Sequence, residues 1–335
     1  MAKGRITSSE VAKRAGVSQS AVSRVFSGAS ASKDTAQRVR AAARDLGYRP
    51  NVLARSLITG QSRIIGVVVA YLENQFYPDA LERLSIALQE QGYHILMFTL
   101  PNKGEDAEQV IQELMDYQVD GIVAASVSMS NDLAAQCQAA GIPVVLFNRG
   151  QQDERLAEVT SDNFAGGAHI ARYLVETGHR RITHISGWQG SSTGQDRSAG
   201  FRFGLEQAGM PLLAELDGRY DRDIAAEAAK TLMADHRPDA IFVGNDHMAF
   251  GVMDTLRFDL GVDIPGDVSV IGYDDVPMAD WSAYNLTTLR QPSGQMVAAT
   301  VDALMAQIND PAAKPQKTRI PGVLKIRTSA RTTDG

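Results

Sequence analysis

The stretch ITSSEVAKRAGVSQSAVSRVF, Ile6 to Phe26, decides the fold at the head of the chain. Thr7 to Glu10 has the T-x-x-E spacing in which a threonine hydroxyl and a glutamate satisfy each other's backbone N–H groups, so a helix starts there. Val11, Ala12 and Ala15 give that helix one apolar face, and Gly16 ends it. After a tight Gly16-Val17 turn, Ser18 can cap a second helix, in which Val22, Val25 and Phe26 fall at i, i+3 and i+4 and turn inward. The opposite face then carries Gln19 with Ser23 and Ser20 with Arg24, two pairs at i, i+4 beginning at the helix N-terminus. This is the layout of a helix-turn-helix, whose second helix enters the DNA major groove with Gln and Arg able to bond base edges in bidentate fashion.

A third helix runs from the cap Ser32 through Ala36, Val39, Ala43 and Leu46 to Gly47 and closes a small three-helix core. In the following YRPNVLARSLITGQS, Tyr48 to Ser62, Pro50 and Gly60 bracket a short stretch with Leu53 and Leu57 at i, i+4. A helix this short is marginal in water. Two readings stand: a hinge that folds on docking and wedges a leucine into the minor groove, or an interdomain linker with two leucines packed on a neighbour.

The formal net charge of −6 conceals a division. Residues 1–61 hold 11 Lys and Arg against Glu10, Asp34 and Asp45, a net +8, and the remainder holds 22 against 36, a net −14. A basic head attracts a polyanion by displacing counterions, whereas an acidic body is kept off the same polyanion. A merely solvated basic surface has the same charge, so the helix pattern decides between them.

From Ile64 onward short apolar runs alternate with helical periodicity, as in a parallel α/β fold. IIGVVVA, YHILMF, VDGIVAA and IPVVLF form one series of strand signals, and RITHIS, DAIFVG and DVSVIGY a second. Ala80, Leu81, Leu84, Ala87 and Leu88 give the first intervening helix one apolar stripe. Two doubly wound halves fit this pattern, and ligands in such folds sit at the carboxyl ends of strands. Polar and aromatic residues collect there: Phe76 and Tyr77, Asn148-Arg149, Asp162-Asn163, Trp188 to Arg197, Asn245-Asp246 and Asp274-Asp275. Carboxylates, amides, an arginine and rings describe a cleft for a small hydroxylated ligand.

Residues 5–62 resemble the DNA-binding headpiece of the lactose-repressor-type (LacI/GalR) transcription regulators through AGVSxxxVSRV, LGYxPN and LARSL, in that order. The body resembles the same family's periplasmic-binding-protein-like effector domain through IPVVLFNR, SDNFAGG, GHRRITHISG, FVGNDHMAFGVM and DVSVIGYDD. The resemblance implies an all-α helix-turn-helix headpiece over 1–49 and a hinge over 50–62. It implies an α/β body of two parallel-sheet subdomains, 63–160 with 289–319 and 161–288 with 320–331. It implies a DNA-facing set of Thr7, Ser18, Gln19, Ser20, Ser23, Arg24 and Ser27, with Asn51, Ala54 and the intercalating Leu57 from the hinge. Ala21 stands where many members have threonine, and Ser27 where many have asparagine. Effector contacts are implied for Arg197, Asn245 and Asp274, and Phe76, Tyr77, Asn148, Asp162 and Trp188 complete the expected cleft. Ser293 lies where some sugar-binding members place an aromatic ring. The expected partners are pseudopalindromic operator DNA, a sugar-like effector and a second copy of the chain, joined in part through helices near Tyr77 to Glu90.

The segment from Gly190 to Gly194 has the G-x-S-x-G spacing of a hydrolase nucleophile elbow, centred on Ser192. An elbow serine sits directly between strand and helix. Here the strand signal ends at Gly187 and the next helical pattern starts near Arg197, so Ser192 is expected mid-loop, in a flexible span able to close over the ligand as a lid. His236 and His247 alone follow it among the histidines, and no zinc-ligand spacing, P-loop or G-x-G-x-x-G after a strand occurs. Cys137 in LAAQCQAAG reads as a packing residue. No catalysis, metal or cofactor is expected. A transport protein using the body alone would carry a signal peptide and no basic head, whereas Met1 to Arg14 is polar. Without an apolar run of about 18 residues, the expected location is the cytoplasm.

Overall fold

The computed structural model describes residues 6–27, 30–49, 61–70, 72–100 and 107–333. Asn51, Ala54 and Leu57 lie outside them, as do the rest of the hinge before Gln61 and the side chain of Ser27. The chain forms two units, Met1–Arg63 and Ile64–Gly335.

In the first unit, α1 (Ser8–Ala15) opens on a complete capping box, with the Glu10 N–H on the Thr7 hydroxyl at 3.3 Å and the Thr7 N–H on the Glu10 carboxylate at 2.7 Å. Gly16 closes the helix at φ 65°, a backbone angle that suits glycine. The Ser18 hydroxyl accepts from the Ala21 N–H and so caps α2 (Gln19–Ser27). Ser32 caps α3 (Lys33–Leu46), which ends at Gly47. Val11, Ala15, Val22, Val25, Val39 and Ala43 meet in one core, and the Phe26 and Tyr48 rings pack at a tilt of 54° at its edge, 5.8 Å between centroids.

The second unit contains two six-stranded sheets. The first is built from β1 (Ile64–Val69), α4 (Phe76–Glu90), β2 (His94–Thr99), α5 (Ala107–Asp116), β3 (Gly121–Ala125), α6 (Asn131–Ala139), β4 (Val144–Phe147) and β5 (Ala157–Ser161). The second continues with α7 (Asn163–Glu176), β6 (Ile182–Ser186), α8 (Ser192–Gln207), β7 (Ala214–Asp217), α9 (Arg222–Asp235), β8 (Ala240–Val243), α10 (Asp246–Asp254), β9 (Ser269–Asp274) and β10 (Thr287–Arg290). The chain then returns to the first sheet for α11 (Ser293–Asn309) and β11 (Lys317–Ile320), and ends in the second with β12 (Val323–Lys325).

Strand orders are β11-β5-β4-β3-β1-β2 and β12-β10-β9-β8-β6-β7, with every pairing parallel except β10 with β12. Both sheets reverse their winding direction beside their first strand, between β1 and β3 and between β6 and β8. Crevices for ligands open at such reversals. The central strands are buried on both faces, as Val67 with Val68 and Val123 with Ile122 show in the first sheet and Ile241 with Phe242 and Val270 with Ile271 in the second. This explains the unbroken apolar runs in the sequence.

One expectation fails here. Ser192 is not mid-loop but the first residue of α8, and Ser191 is the cap, its hydroxyl accepting from the Gly194 N–H at 3.1 Å. The loop shrinks to Gly187–Ser191, and Gly194 is packed so tightly that a Cβ there would lie 2.3 Å from the Trp188 carbonyl oxygen. It is therefore no lid. The poor helix formers of STGQ hid the helix start, and tertiary packing overrides their propensity. A Cβ at Gly200 would come within 1.9 Å of the Phe164 carbonyl oxygen, and one at Gly167 within 2.3 Å of the Arg197 carbonyl oxygen. This close approach of α7 and α8 fixes where Arg197 points.

Candidate functional site

The reversal points of both sheets contribute to one narrow cleft, lined by Asn74 after β1, Ser126 after β3, Asn148 and Arg149 after β4, Thr193 and Arg197 on α8, Tyr220 after β7, Asn245 after β8 and Asp274 at the end of β9, with Tyr77 from α4. Its free volume is about 20 Å³, room for one water and not for a sugar. Hydrogen bonds between described residues join the sides. Asn74 Nδ2 donates to Asp274 Oδ2 at 2.8 Å, and the Gly150 N–H donates to Ser192 Oγ at 2.9 Å. Ligand entry therefore requires the two sides to part.

Arg197 is buried but densely held. Its Nε donates to Asn163 Oδ1 at 2.9 Å, Nη1 to the Gly244 carbonyl at 2.7 Å, and Nη2 lies 3.4 Å from Asp274 Oδ1. The guanidinium also stacks 3.7 Å from the Tyr273 ring centroid. Such a fork leaves the arginine preorganised rather than mobile. Asp274 Oδ1 accepts from Gln291 Nε2 at 2.7 Å as well. Behind it, fully buried Asp246 accepts from the Thr288 hydroxyl at 2.6 Å and the Val276 N–H at 2.9 Å. Burial first raises both carboxyls, and Asp274 then makes Asp246 harder still to ionise, whereas Arg197 pulls Asp274 back down.

Several cleft residues sit in strained backbone. Ser126, Asn148, Tyr220 and Asp274 have φ of 59°, 64°, 59° and 128°, a region costly for side-chain-bearing residues and one that concentrates at ligand sites. Asn148 Nδ2 donates to Tyr77 Oη at 2.9 Å, leaving the Asn148 Oδ1 buried without a partner.

Of the expected effector residues, Tyr77, Asn148, Arg197, Asn245 and Asp274 converge on the cleft. Asn245 also caps α10 through Met248 N–H at 3.0 Å. Phe76 instead stacks on Phe147 at 6.1 Å in the core, Asp162 caps α7 by accepting from Ala165 N–H, and Trp188 sits at the rim under the Arg149 guanidinium. Asn74, Ser126 and Tyr220 were not foreseen, Thr193 fell within the stretch Trp188 to Arg197 without being singled out, and Ser293 bonds Asp79. Only their place after strands at a winding reversal marks most of them, and Tyr220 follows a strand, AELD, without a clear apolar pattern.

In the first unit, Ser20, Ser23 and Arg24 stand exposed on one face of α2. Gln19 Nε2 donates to Ser8 Oγ at 3.0 Å, and Ser18 pairs with Ser20 at 2.9 Å, while Thr7 is engaged in its capping box. Ala21 is inward and Ser18 to Arg24 begin at the N-terminus of the helix, as a groove-reading face requires.

Among the described residues no three His, Cys, Asp or Glu gather as a metal site, and no helix is long and apolar enough to cross a membrane. Ser192 Oγ is taken by the Gly150 N–H, while His184 is buried, bonded to the Phe242 carbonyl and Ser198.

Comparison with known proteins covers both units. The pattern described as "Bacterial regulatory proteins, lacI family" matches residues 7–51, and "Periplasmic binding protein-like domain" matches residues 171–330. The HTH-type transcriptional repressor PurR of Vibrio parahaemolyticus is 31% identical over 309 residues, 91% of this chain and 92% of the repressor. The ribose operon repressor of Escherichia coli K12 is 29% identical over 97% of this chain and 99% of its own. The structure of the lac repressor dimer bound to operator and the anti-inducer ONPF superposes with a TM-score of 0.87 at 25% identity, covering 97% of this chain and 99% of that one. With a helix-turn-helix unit followed by two parallel sheets around a polar cleft, the chain belongs to the lacI family of bacterial regulatory proteins.

Proposed function

We propose that this chain is a sequence-specific transcriptional repressor whose operator affinity is set by a sugar-like effector in the cleft between the two sheets. One observation carries the reading: Arg197, Asp274 and Asn245 from the second sheet's side meet Asn74 from the first in one cleft, and the Asn74–Asp274 hydrogen bond joins the two sides directly. A ligand that replaces these ties has different affinities for open and closed cleft, which is what coupling to a second site requires.

The remaining parts follow from chemistry. Gln19, Ser20 and Arg24 read bases, and Thr7, Ser18, Ser23, Ser27 and Asn51 complete the DNA-facing set, with Ala54 and Leu57 in the minor groove. One recognition helix binds weakly, so the working form is a homodimer on two half-sites, acting in the cytoplasm. Catalysis has no place in it, because Ser192 closes the cleft instead of attacking a substrate. Effector contacts are Tyr77, Asn148, Arg197, Asn245 and Asp274 directly, with Trp188 at the rim, while Phe76 supports the first sheet from its core and Asp162 holds the start of α7. A melting-temperature screen of the full chain against sugars, sugar acids and purines tests the reading, since binding raises apparent stability by mass action. A stabilising sugar-like compound that also changes operator binding supports it; stabilisation by none of them counts against it.

A further inference from the structure

The charges lining the cleft do not balance. Arg149 and Arg197 face a single carboxylate, Asp274. Asp274 is already claimed by Arg197, Asn74 and Gln291. The titratable groups that bear on Arg149 are the phenols of Tyr77 and Tyr220, with no described carboxylate among them. Glu158, buried behind Gly150, accepts instead from the Gln151 N–H.

Arg149 is mostly buried nonetheless, and its Nε has no hydrogen-bond partner. Its guanidinium lies 5.5 Å from the Trp188 ring centroid, a contact that holds the group over the rim without neutralising it. Burial pushes its charge toward release, below its ordinary value. Buried charges in folded proteins are paired, so an orphaned guanidinium in a ligand cleft is a site awaiting an anion. Two features beside it agree. Thr193 puts the first turn of α8, the positive end of a 16-residue helix, on the same cleft. The unpartnered Asn148 Oδ1 next in sequence can accept a hydroxyl from the same ligand.

We propose that the ligand of this cleft is an acidic sugar derivative, whose carboxylate or phosphate docks on Arg149 while its hydroxyls meet Asn245, Asp274 and Arg197. This rests on the effector reading above and adds the charge of the ligand to it. A neutral sugar would leave Arg149 unpaired in a closed cleft, and therefore binds less well.

The test is calorimetry of the full chain with matched pairs: glucose against glucuronate, glucose against glucose 6-phosphate, and ribose against ribose 5-phosphate. The first pair reads a carboxylate and the other two a phosphate. The expected result is that an acidic member binds at least about tenfold tighter than its neutral partner. Arg149→Gln removes that preference, Arg149→Lys restores part of it, and Arg149→Gln melts no lower than the parent without ligand, because an unpaired buried cation has gone. Equal binding of neutral and acidic members, unaffected by Arg149→Gln, overturns the inference and leaves the sugar effector standing. Binding of none of these compounds, with a purine binding in a parallel titration, overturns both. A lower ligand-free melting temperature for Arg149→Gln shows that Arg149 serves packing and overturns the inference by itself.

Discussion

Asn74 Nδ2 donates to Asp274 Oδ2 at 2.8 Å, joining the loop after β1 of the first sheet to the end of β9 in the second across 200 positions of sequence. Both groups are buried. Removing one partner of a buried hydrogen bond costs roughly 1 to 3 kcal/mol, so Asn74→Ala should lower the melting temperature of the full chain by several degrees and favour the open cleft. Scanning calorimetry checks the first effect. An unchanged melting temperature would show that the contact does not hold the sides together.

Asp246 gives the body a specific pH response. Its carboxyl is raised, chiefly by burial and then by Asp274. A carboxyl raised in the folded state keeps its proton where the unfolded chain has lost it, so stability falls as pH rises from about 4 to the folded value and then levels off. Asp246→Asn should therefore gain on the parent in melting temperature between pH 5 and pH 8. His184 acts in the opposite sense. Burial depresses it to about 4, so about 3 kcal/mol is lost as pH falls from about 6.5 to that value. Both chains carry His184, and its effect cancels in the difference between them. A difference independent of pH contradicts the role given to Asp246.

At the contact of α7 with α8, Gly200→Ala forces a Cβ to within 1.9 Å of the Phe164 carbonyl oxygen. The backbone cannot yield that far without moving α8 and Arg197 with it. A loss of at least about 2 kcal/mol is expected, together with weaker ligand binding. Denaturant melts and calorimetry of the variant check both, and parent-like values would mean the helices are not locked there.

Arg24 stands exposed on the outer face of α2. Arg24→Ala should cost about 1 to 3 kcal/mol on operator DNA and relax selectivity at one base pair. Selection of duplexes from a random library by the parent and variant chains reads this directly. The same preferred sequence with the same information at every position would remove Arg24 from the base-reading set.

The legible parts of the chain were those written locally. The capping box of Thr7 and Glu10, the inward Val22, Val25 and Phe26, and the apolar strands all depend on neighbours a few residues away. Asn245 and Asp274 were legible because each stands at the end of a clear strand, and Arg197, inside α8, because the resemblance to a known family carries it. Asn74, Thr193 and Tyr220 were not, because their place in the cleft comes from strand order and from positive φ at Tyr220, which no local pattern encodes. The start of α8 at Ser192 was lost for a related reason: its glycines and serines look like loop, and α7 is what makes them helix.

The central claim is that occupancy of the cleft changes operator binding. The measurement is fluorescence anisotropy of a duplex selected by the full chain, titrated with and without a compound that raises its melting temperature, for the parent and for Asp274→Asn. The account predicts a shift of about tenfold or more in operator affinity for the parent, equivalent to about 1.4 kcal/mol of coupling, and little shift for Asp274→Asn with operator binding retained. An operator affinity for the parent that is the same with and without the compound would contradict it.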